Sequence, residues 1–271
     1  MVNIDAPTRI QSLLLGSRII MGTEIANVDV DQIMTLPILR DFQCSHCPIR
    51  HRAVCSHCDT GELNMLESIK TYRSYSAGET IFWRGEPLTH VASLVTGVAA
   101  LSKTLEDGRT QMVGLLLPSD FIGRPGREKI DFDVTATTDV TLCCFDRKPF
   151  ETLVHETPHL TQRLMELALD ELDVARDWML LLGRKTAREK IATFVEMLAR
   201  RAADVEKGAS VILPMSMTRD QIANFLGLTL ETVSRQLNAL KKDGIIEFSD
   251  RKFIAIKDLP ALHEATGDDL E

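Results

Sequence analysis

Cysteine is the residue type here whose number and spacing most demand a chemistry. Four of the six cysteines fall in one short stretch, Cys44-Ser-His-Cys47, seven residues, then Cys55-Ser-His-Cys58, and the other two are the adjacent pair Cys143-Cys144. Thiolates at this density oxidise, exchange or bind metal. In a cell interior, where disulfides are rare, the pattern points to a metal ion or an iron–sulfur centre. Closure within the stretch by Cys44, Cys47, Cys55 and Cys58 would make a tetrahedral zinc site, although the seven-residue gap is shorter than the usual ribbon spacing. Three thiolates of the stretch plus a distant one would instead hold an iron–sulfur cluster and tie this loop to another part of the chain. The bland alternative is a loop of reduced, solvated thiols. Redox enzymes built on Cys-x-x-Cys need a βαβ context that this chain lacks, so no enzyme is expected.

The other residues placed for chemistry lie near the C-terminus. Thr218, with Gln221 three residues on, forms a capping box, and Ile222, Ala223 and Leu226 give the helix that follows an inward face. Gly227 permits a sharp turn, Thr229 can cap a second helix, and Val233, Leu237 and Leu240 bury it against the first. This is a helix-turn-helix, whose second helix enters the major groove of double-stranded DNA by its N-terminal part. The polar residues there are Glu231, Thr232, Ser234 and Arg235. Glu231 can accept from cytosine N4 and Arg235 can bond guanine O6 and N7, while the competing reading of the pair is an i,i+4 ion pair on a solvated face. Ile245, Phe248, Phe253 and Ile256, turning at Asp250-Arg251-Lys252, predict a small wing hairpin.

The elements that must position these groups follow from periodicity and punctuation. Residues 1–40 contain no readable element and form an N-terminal arm, and residues 41–61 form the Cys-rich loop. Leu63, Leu66 and Ile69 predict a short helix over Glu62–Thr71. Residues 62–156 otherwise show short apolar runs, Thr80–Trp83, Val91–Val95, Val98–Leu105, Gln111–Leu117, Asp133–Thr137 and Val140–Phe145, separated by Gly-rich turns. That spacing predicts a small antiparallel jelly roll. Thr157-Pro158 opens a helix over 157–183, about 27 residues and some 40 Å long at the α-helical rise. It carries one apolar stripe through Leu164, Ala168, Leu172, Ala175, Met179 and Leu182 and another through Leu160, Leu164, Leu167, Val174, Trp178 and Leu181. One stripe docks a helix on its own domain; the second predicts a partner, most simply the same helix of a homodimer. Residues 184–271 complete the chain as the winged helix-turn-helix domain, so the fold class is α+β.

Composition sets the outer bounds. The chain has 271 residues, 44% of them apolar, enough for more than one core. No run approaches the roughly 20 apolar residues of a membrane span, and Ile10–Ile20 is interrupted by Gln11, Ser12, Ser17 and Arg18 with no cleavage site behind it. A cytoplasmic protein without membrane contact is expected. The formal charge is -8, yet Arg184–Lys242 holds 11 Lys/Arg against 6 Asp/Glu, leaving 20 against 33 elsewhere. One basic module on an acidic body suits a dedicated DNA-binding domain.

Cysteine loop, jelly roll, long helix and winged helix-turn-helix together resemble the Crp/Fnr family of bacterial regulators over residues 41 to 258, and Glu231-Thr-Val-Ser234-Arg235 resembles the recognition helix of its Fnr branch. The resemblance implies a cyclic-nucleotide-binding-like roll and an oxygen sensor. In such regulators a [4Fe–4S] cluster assembled under low oxygen holds the dimer on palindromic TTGAT-type DNA sites, oxygen destroys the cluster, and RNA polymerase is a partner. Carried over residue by residue, Cys44, Cys47 and Cys55 match the three N-terminal ligands. The fourth matches the Cys143-Cys144 pair, with the register of Phe150-Glu-Thr-Leu favouring Cys143. The spacing departs from the best-known pattern, seven residues in place of five between the second and third ligands, and Cys58 is an extra thiol. The choices between Cys55 and Cys58 and between Cys143 and Cys144 therefore stay open. The family's cyclic-nucleotide binders carry Gly-Glu and Arg-Ser pairs in the roll; the stretch Phe121–Ala136 here has neither, which argues against that ligand. A lone His90 or His159 is more often structural or exposed than a haem ligand.

Overall fold

The computed structural model describes residues 43–202, 211–214, 217–249 and 253–268; the expected N-terminal arm and the wing turn at 250–252 lie outside them. The chain divides into two compact units, one ending at Trp178 and one beginning at Met179. Among the described residues no helix is long and apolar enough to cross a membrane.

In the first unit a single turn of 3₁₀ helix, Cys44–His46, opens the cysteine loop, and α1 (Thr60–Ile69) closes it. The helix starts two residues earlier than its apolar spacing predicts, because Asp59 and Glu62 form a capping box, and it ends where Lys70 turns extended. Eight strands follow: β1 (Lys70–Tyr75), β2 (Thr80–Phe82), β3 (His90–Thr96), β4 (Ala99–Thr104), β5 (Thr110–Leu116), β6 (Phe121–Ile122), β7 (Asp133–Ala136) and β8 (Val140–Asp146). They build two antiparallel sheets, β1-β8-β3-β6 and β2-β7-β4-β5, packed as a sandwich over Leu94, Leu142, Val134 and Ala99, each fully buried. Gly97 makes the β3–β4 turn possible: its φ is +87°, and a Cβ there would meet the Asp139 carbonyl at 2.1 Å. Helix α2 (Arg147–Glu156) and the long helix α3 (Pro158–Arg184) follow the roll.

The register of the first sheet sorts its side chains. Tyr72 and Ser93 stand opposite Cys143, and Lys70 and Val91 stand opposite Phe145, all on one face. This face is the helix-covered one, since Phe145 packs on Phe150 of α2 with centroids 5.4 Å apart. Leu142, Cys144, Leu94 and His90 stand on the other face, towards the second sheet, where the His90 ring meets Phe82 with centroids 4.7 Å apart. Cys143 and Cys144 are thus neighbours in sequence that look in opposite directions.

His90 is buried within the sandwich, with Arg73 Nη1 3.4 Å from its ring nitrogens and Thr89 Oγ1 3.0 Å from Nδ1. Burial, assisted by the Arg73 charge, holds its pKa down at about 4. The unfolded chain takes this proton as pH falls through about 6.5 while the folded chain refuses it until about 4, so stability present at neutral pH drains away across that window. Urea unfolding of the reduced, metal-free protein and of H90N should show the parent losing about 2 kcal/mol more than the variant between pH 7 and pH 4.5. Equal losses would mean that His90 is protonated in the fold.

The second unit contains α4 (Ala187–Ala202), β9 (Val211–Pro214), α5 (Arg219–Leu226), α6 (Leu230–Lys242), the hairpin β10 (Ile246–Ser249) and β11 (Phe253–Ile256), and α7 (Leu259–Glu264). The hairpin forms where it is expected, with Ile246 paired to Ile256 and Ser249 to Phe253, and β9 adds to β11 to make a three-stranded wing sheet. Helices α4 and α5 meet edge-to-face through Phe194 and Phe225, centroids 6.1 Å apart.

Candidate metal centre and nucleic-acid interface

The cysteine loop lies against the helix-covered face of the first sheet. Its small apolar residues Ile49, Ala53 and Val54 are buried with Leu63 and Leu66 of α1, and Cys47 and Cys55 pack against the core that contains Cys143. All six thiols are free. Burial pushes the Cys143 thiol well above its ordinary range, and negative charge on Cys47, Cys55 and Cys44 would push it further. The Cys55 thiol, pushed to about 12 first by burial, has Cys47, Cys44 and Cys58 as its charged neighbours. Tyr72, opposite Cys143, is raised by burial and then by Cys143, Cys47, Cys44 and Cys55. Two distant segments thus bring thiols to one core, with Cys44 and Cys143 buried in it and Cys47, Cys55 and Tyr72 packed against it.

The two remaining thiols adjoin that group, Cys58 beside Cys55 and Cys144 beside Cys143, but have other principal charged neighbours. Cys58, also at about 12, is raised by burial and then by Glu62 and Asp59 beside it. Cys144, at a similar value, is raised by burial and has Arg73 and Asp146 as its charged neighbours. Among the described residues no three cysteine sulfurs lie within 4.8 Å of one another; the ligand atoms that do are those of Asp59, Glu62 and His159. The sulfurs of one tetrahedral zinc ion sit about 3.8 Å apart, given its short zinc–sulfur bonds. Beside Cys143, Ser93 is buried, and its hydroxyl oxygen, like that of half-buried Ser56 next to Cys55, has no hydrogen-bond partner among the described residues.

Three residues at this site escape a reading by cysteine spacing. Lys70 Nζ lies 3.6 Å from Cys44 Sγ and 3.2 Å from Glu67 Oε1, and Glu67 Oε2 accepts from the Cys44 amide at 3.3 Å. Lys70 also stands over the Tyr72 ring, 5.6 Å from its centroid. A cation at this position favours thiolate on Cys44. The i,i+3 spacing of Glu67 and Lys70 at the end of a helix was the available signal.

Helix α3 presents two different faces. Leu160 and Leu181 are buried, and Leu164 and Leu167 pack into the core of the first unit. Met165, Leu169, Leu172, Met179 and Leu182 stand exposed, Met179 to 72%. Exposed large apolar side chains in this number on one helix are unusual on a finished surface. His159, one of the two histidines considered for haem, is tied to Glu62 at 3.0 Å.

In the second unit the helix-turn-helix has the geometry its residues predict. Thr218 Oγ1 accepts from the Gln221 amide at 3.2 Å and Gln221 Oε1 accepts from the Thr218 amide at 2.8 Å. Gly227 ends α5 in the left-handed region at φ 62°, and Thr229 caps α6 through the Thr232 amide. Val233, Leu237 and Leu240 are buried, while Glu231 and Arg235 are exposed on the opposite side. Among the described residues no ion pair joins Glu231 to Arg235. Ser234 Oγ accepts from Arg219 Nη1 at 3.3 Å, and the Arg219 guanidinium rests 5.9 Å from the centroid of Phe248 in the wing. Thr232 is half-buried and its hydroxyl accepts from Thr229 at 3.0 Å, so Thr232 and Ser234 both have partners within the fold.

Comparison with known proteins places these observations. Residues 72–157 match the model of the cyclic nucleotide-binding domain and residues 189–265 that of the Crp-like helix-turn-helix domain. The chain is 57% identical over 230 residues to the transcriptional activator protein FnrL of Cereibacter sphaeroides, covering 84% of this chain and 93% of that one. It is 43% identical over 203 residues to the nitrogen fixation regulation protein FixK of Bradyrhizobium diazoefficiens, covering 75% and 85%. Among solved structures, FixK2 from Bradyrhizobium japonicum superposes with a TM-score of 0.68 at 34% identity, covering 74% of this chain and all of that one.

Proposed function

Because the chain belongs to the Crp/Fnr family of transcriptional regulators, we propose that it is an oxygen-responsive member whose Cys44, Cys47, Cys55 and Cys143 hold a [4Fe–4S] cluster and whose homodimer binds palindromic DNA. The family consists of regulators and not enzymes. The observation that carries the reading is that Cys143 and the loop thiols Cys44, Cys47 and Cys55 share one core, where Tyr72 stands opposite Cys143. The residues fit the cluster. Their sulfurs come from two segments that meet in one core, and the Ser93 hydroxyl, unpartnered among the described residues, is a donor suited to sulfur acceptors. When bound, the cluster supplies an oxygen-labile link between the loop and the roll.

The chain's own residues supply the rest. Lys70 places positive charge beside Cys44, and Tyr72 stands opposite Cys143 on the same face of the sheet. The exposed row on α3 is the seam for a second copy. Asp170, Glu171 and Asp177 lie along the same helix, so two copies approach against like-charge repulsion, and a small difference in how the roll holds α3 decides association. Each protomer brings one α6, whose Glu231, Ser234 and Arg235 read a TTGAT-type half-site, and the half-sites lie about one helical turn apart. Lys241 and Lys242 contact phosphates, adding affinity without sequence preference. RNA polymerase is the downstream partner, and the cytoplasm is the compartment. The roll acts as the scaffold for the cluster and not as a nucleotide pocket, since neither nucleotide-holding pair is present between Phe121 and Ala136.

Protein purified without oxygen should be brown and contain about four iron and four sulfide per chain. A colourless protein containing zinc at one ion per chain would reject the cluster.

A further inference from the structure

We infer that Arg163 is the positioning residue that couples the cysteine loop to the long helix; the inference rests on the cluster reading above and assigns its transmission. Helix α3 begins beside the loop, with Leu160 fully buried and Leu164 and Leu167 packed into the same core as Cys47 and Cys55. Three polar contacts then join its first turns to residues that alternate with the cysteines. Arg163 Nη2 donates to the carbonyl of Arg52, between Cys47 and Cys55, at 2.8 Å. Arg163 Nη1 donates to Glu166 Oε2 at 3.0 Å, and the same oxygen lies 3.6 Å from Nδ1 of His57, between Cys55 and Cys58. One turn earlier, His159 Nδ1 lies 3.0 Å from the carboxylate of Glu62, which closes the capping box at the end of the loop.

These contacts are not equivalent. The His159 and His57 pairs are formed by side chains that are 53% and 42% exposed, the kind of surface pair that contributes little. The Arg163 side chain is 16% exposed, and its planar fork engages the loop backbone and a helix side chain at once, a geometry that fixes direction as well as distance. Its acceptor is also the informative one. A main-chain carbonyl goes wherever the loop backbone goes, so a loop that reorganises on losing its cluster withdraws the Arg52 oxygen and leaves a largely buried guanidinium short of a partner. That guanidinium then has to find water, and the first turns of α3 move with it. Met165 and Leu169, two and six residues further along the same helix, are 60% and 54% exposed. A shift of this end therefore re-aims the start of the dimer seam.

The test is a linkage measurement. The dimer dissociation constant is determined by sedimentation for the iron-loaded and iron-free forms of the parent and of R163M, with iron and sulfide assayed on every sample. The loaded parent should associate more tightly than the iron-free parent. R163M should keep its iron and sulfide while its loaded-to-free ratio falls by about tenfold or more. A residue that only helps the helix to fold weakens both forms alike, so an unchanged ratio in R163M overturns the inference. R163K, which keeps the charge and the stem but lacks the fork, guards against a folding defect: it should also lose most of the ratio, and a parental ratio there overturns the inference equally. A parent without iron and sulfide overturns the cluster reading first and this inference with it, whereas a loaded parent with an unchanged ratio in the variants overturns this inference alone.

Discussion

Cys143→Ser should strip the anaerobically purified protein of its cluster, with iron and sulfide falling to about a tenth of the parent or less, because loss of a ligand costs at least as much as the 10–100-fold typical of its supporting residues. Cys144→Ser is the matched control. Both residues are buried in the same strand, at 7% and 1% exposure, and each substitution places a hydroxyl where a thiol was, a similar burden on folding. They differ in facing. Cys143 stands opposite Tyr72 towards the loop, and Cys144 stands towards the sandwich interior near Arg73. Cys58→Ser should likewise keep the cluster, since that thiol has Glu62 and Asp59 as its principal charged neighbours. Loss of iron in Cys58→Ser with retention in Cys143→Ser would reverse the assignment in favour of closure within the loop.

Arg235→Ala should cost the dimer at least about 30-fold in affinity for an intact palindrome, since each lost bidentate contact is worth roughly 1–3 kcal/mol and two half-sites are affected. The larger signature is in discrimination. Arg235 and Glu231 are exposed on the side of α6 away from Val233 and Leu237, free of an ion pair with one another among the described residues. The parent should therefore prefer the intact site over one whose half-site guanine is replaced, and Arg235→Ala should bind the two DNAs alike. Lys242→Ala should instead weaken both equally and reduce the salt dependence. A variant at Arg235 that discriminates as the parent does would show that another group reads that base.

Legibility of the fold divides along physical lines. The helix-turn-helix announces itself because its signals are local: a capping box at Thr218 and Gln221, a glycine at the left-handed position, and a cap at Thr229. The 27-residue α3 is legible for the same reason, having a proline at its first position and a long run without a breaker. Strand β1 is not, since Lys70-Thr-Tyr-Arg-Ser-Tyr75 is an edge strand whose polar residues reach water and show little alternation. β6, two residues long, is below the length at which any period exists. Helix α2 carries Pro149 in its first turn, and a proline reads as a breaker unless the start is already known. Helix α4 did have a readable spacing in Ile191, Phe194, Val195 and Leu198, with Thr186 and Glu189 exchanging hydrogen bonds at its start.

At the metal centre the loop thiols stand out by density, whereas nothing local marks Cys143 over Cys144. Their opposite facing is created by strand register, a long-range property that no local pattern carries. Lys70 and Ser93 are harder still to find from sequence, because their relevance exists only once β1, β3 and β8 lie side by side.

If one group on the roll decides whether the chain holds DNA, cluster and DNA binding must be lost together. Oxygen is admitted to a single anaerobic sample of protein on a labelled palindrome, while the visible absorbance of the cluster and the anisotropy of the DNA are recorded together. Absorbance and DNA binding should decay with the same time course, and the released protein should sediment as a smaller species. DNA binding that persists as a dimer after the absorbance has gone would show that the cluster does not hold the switch.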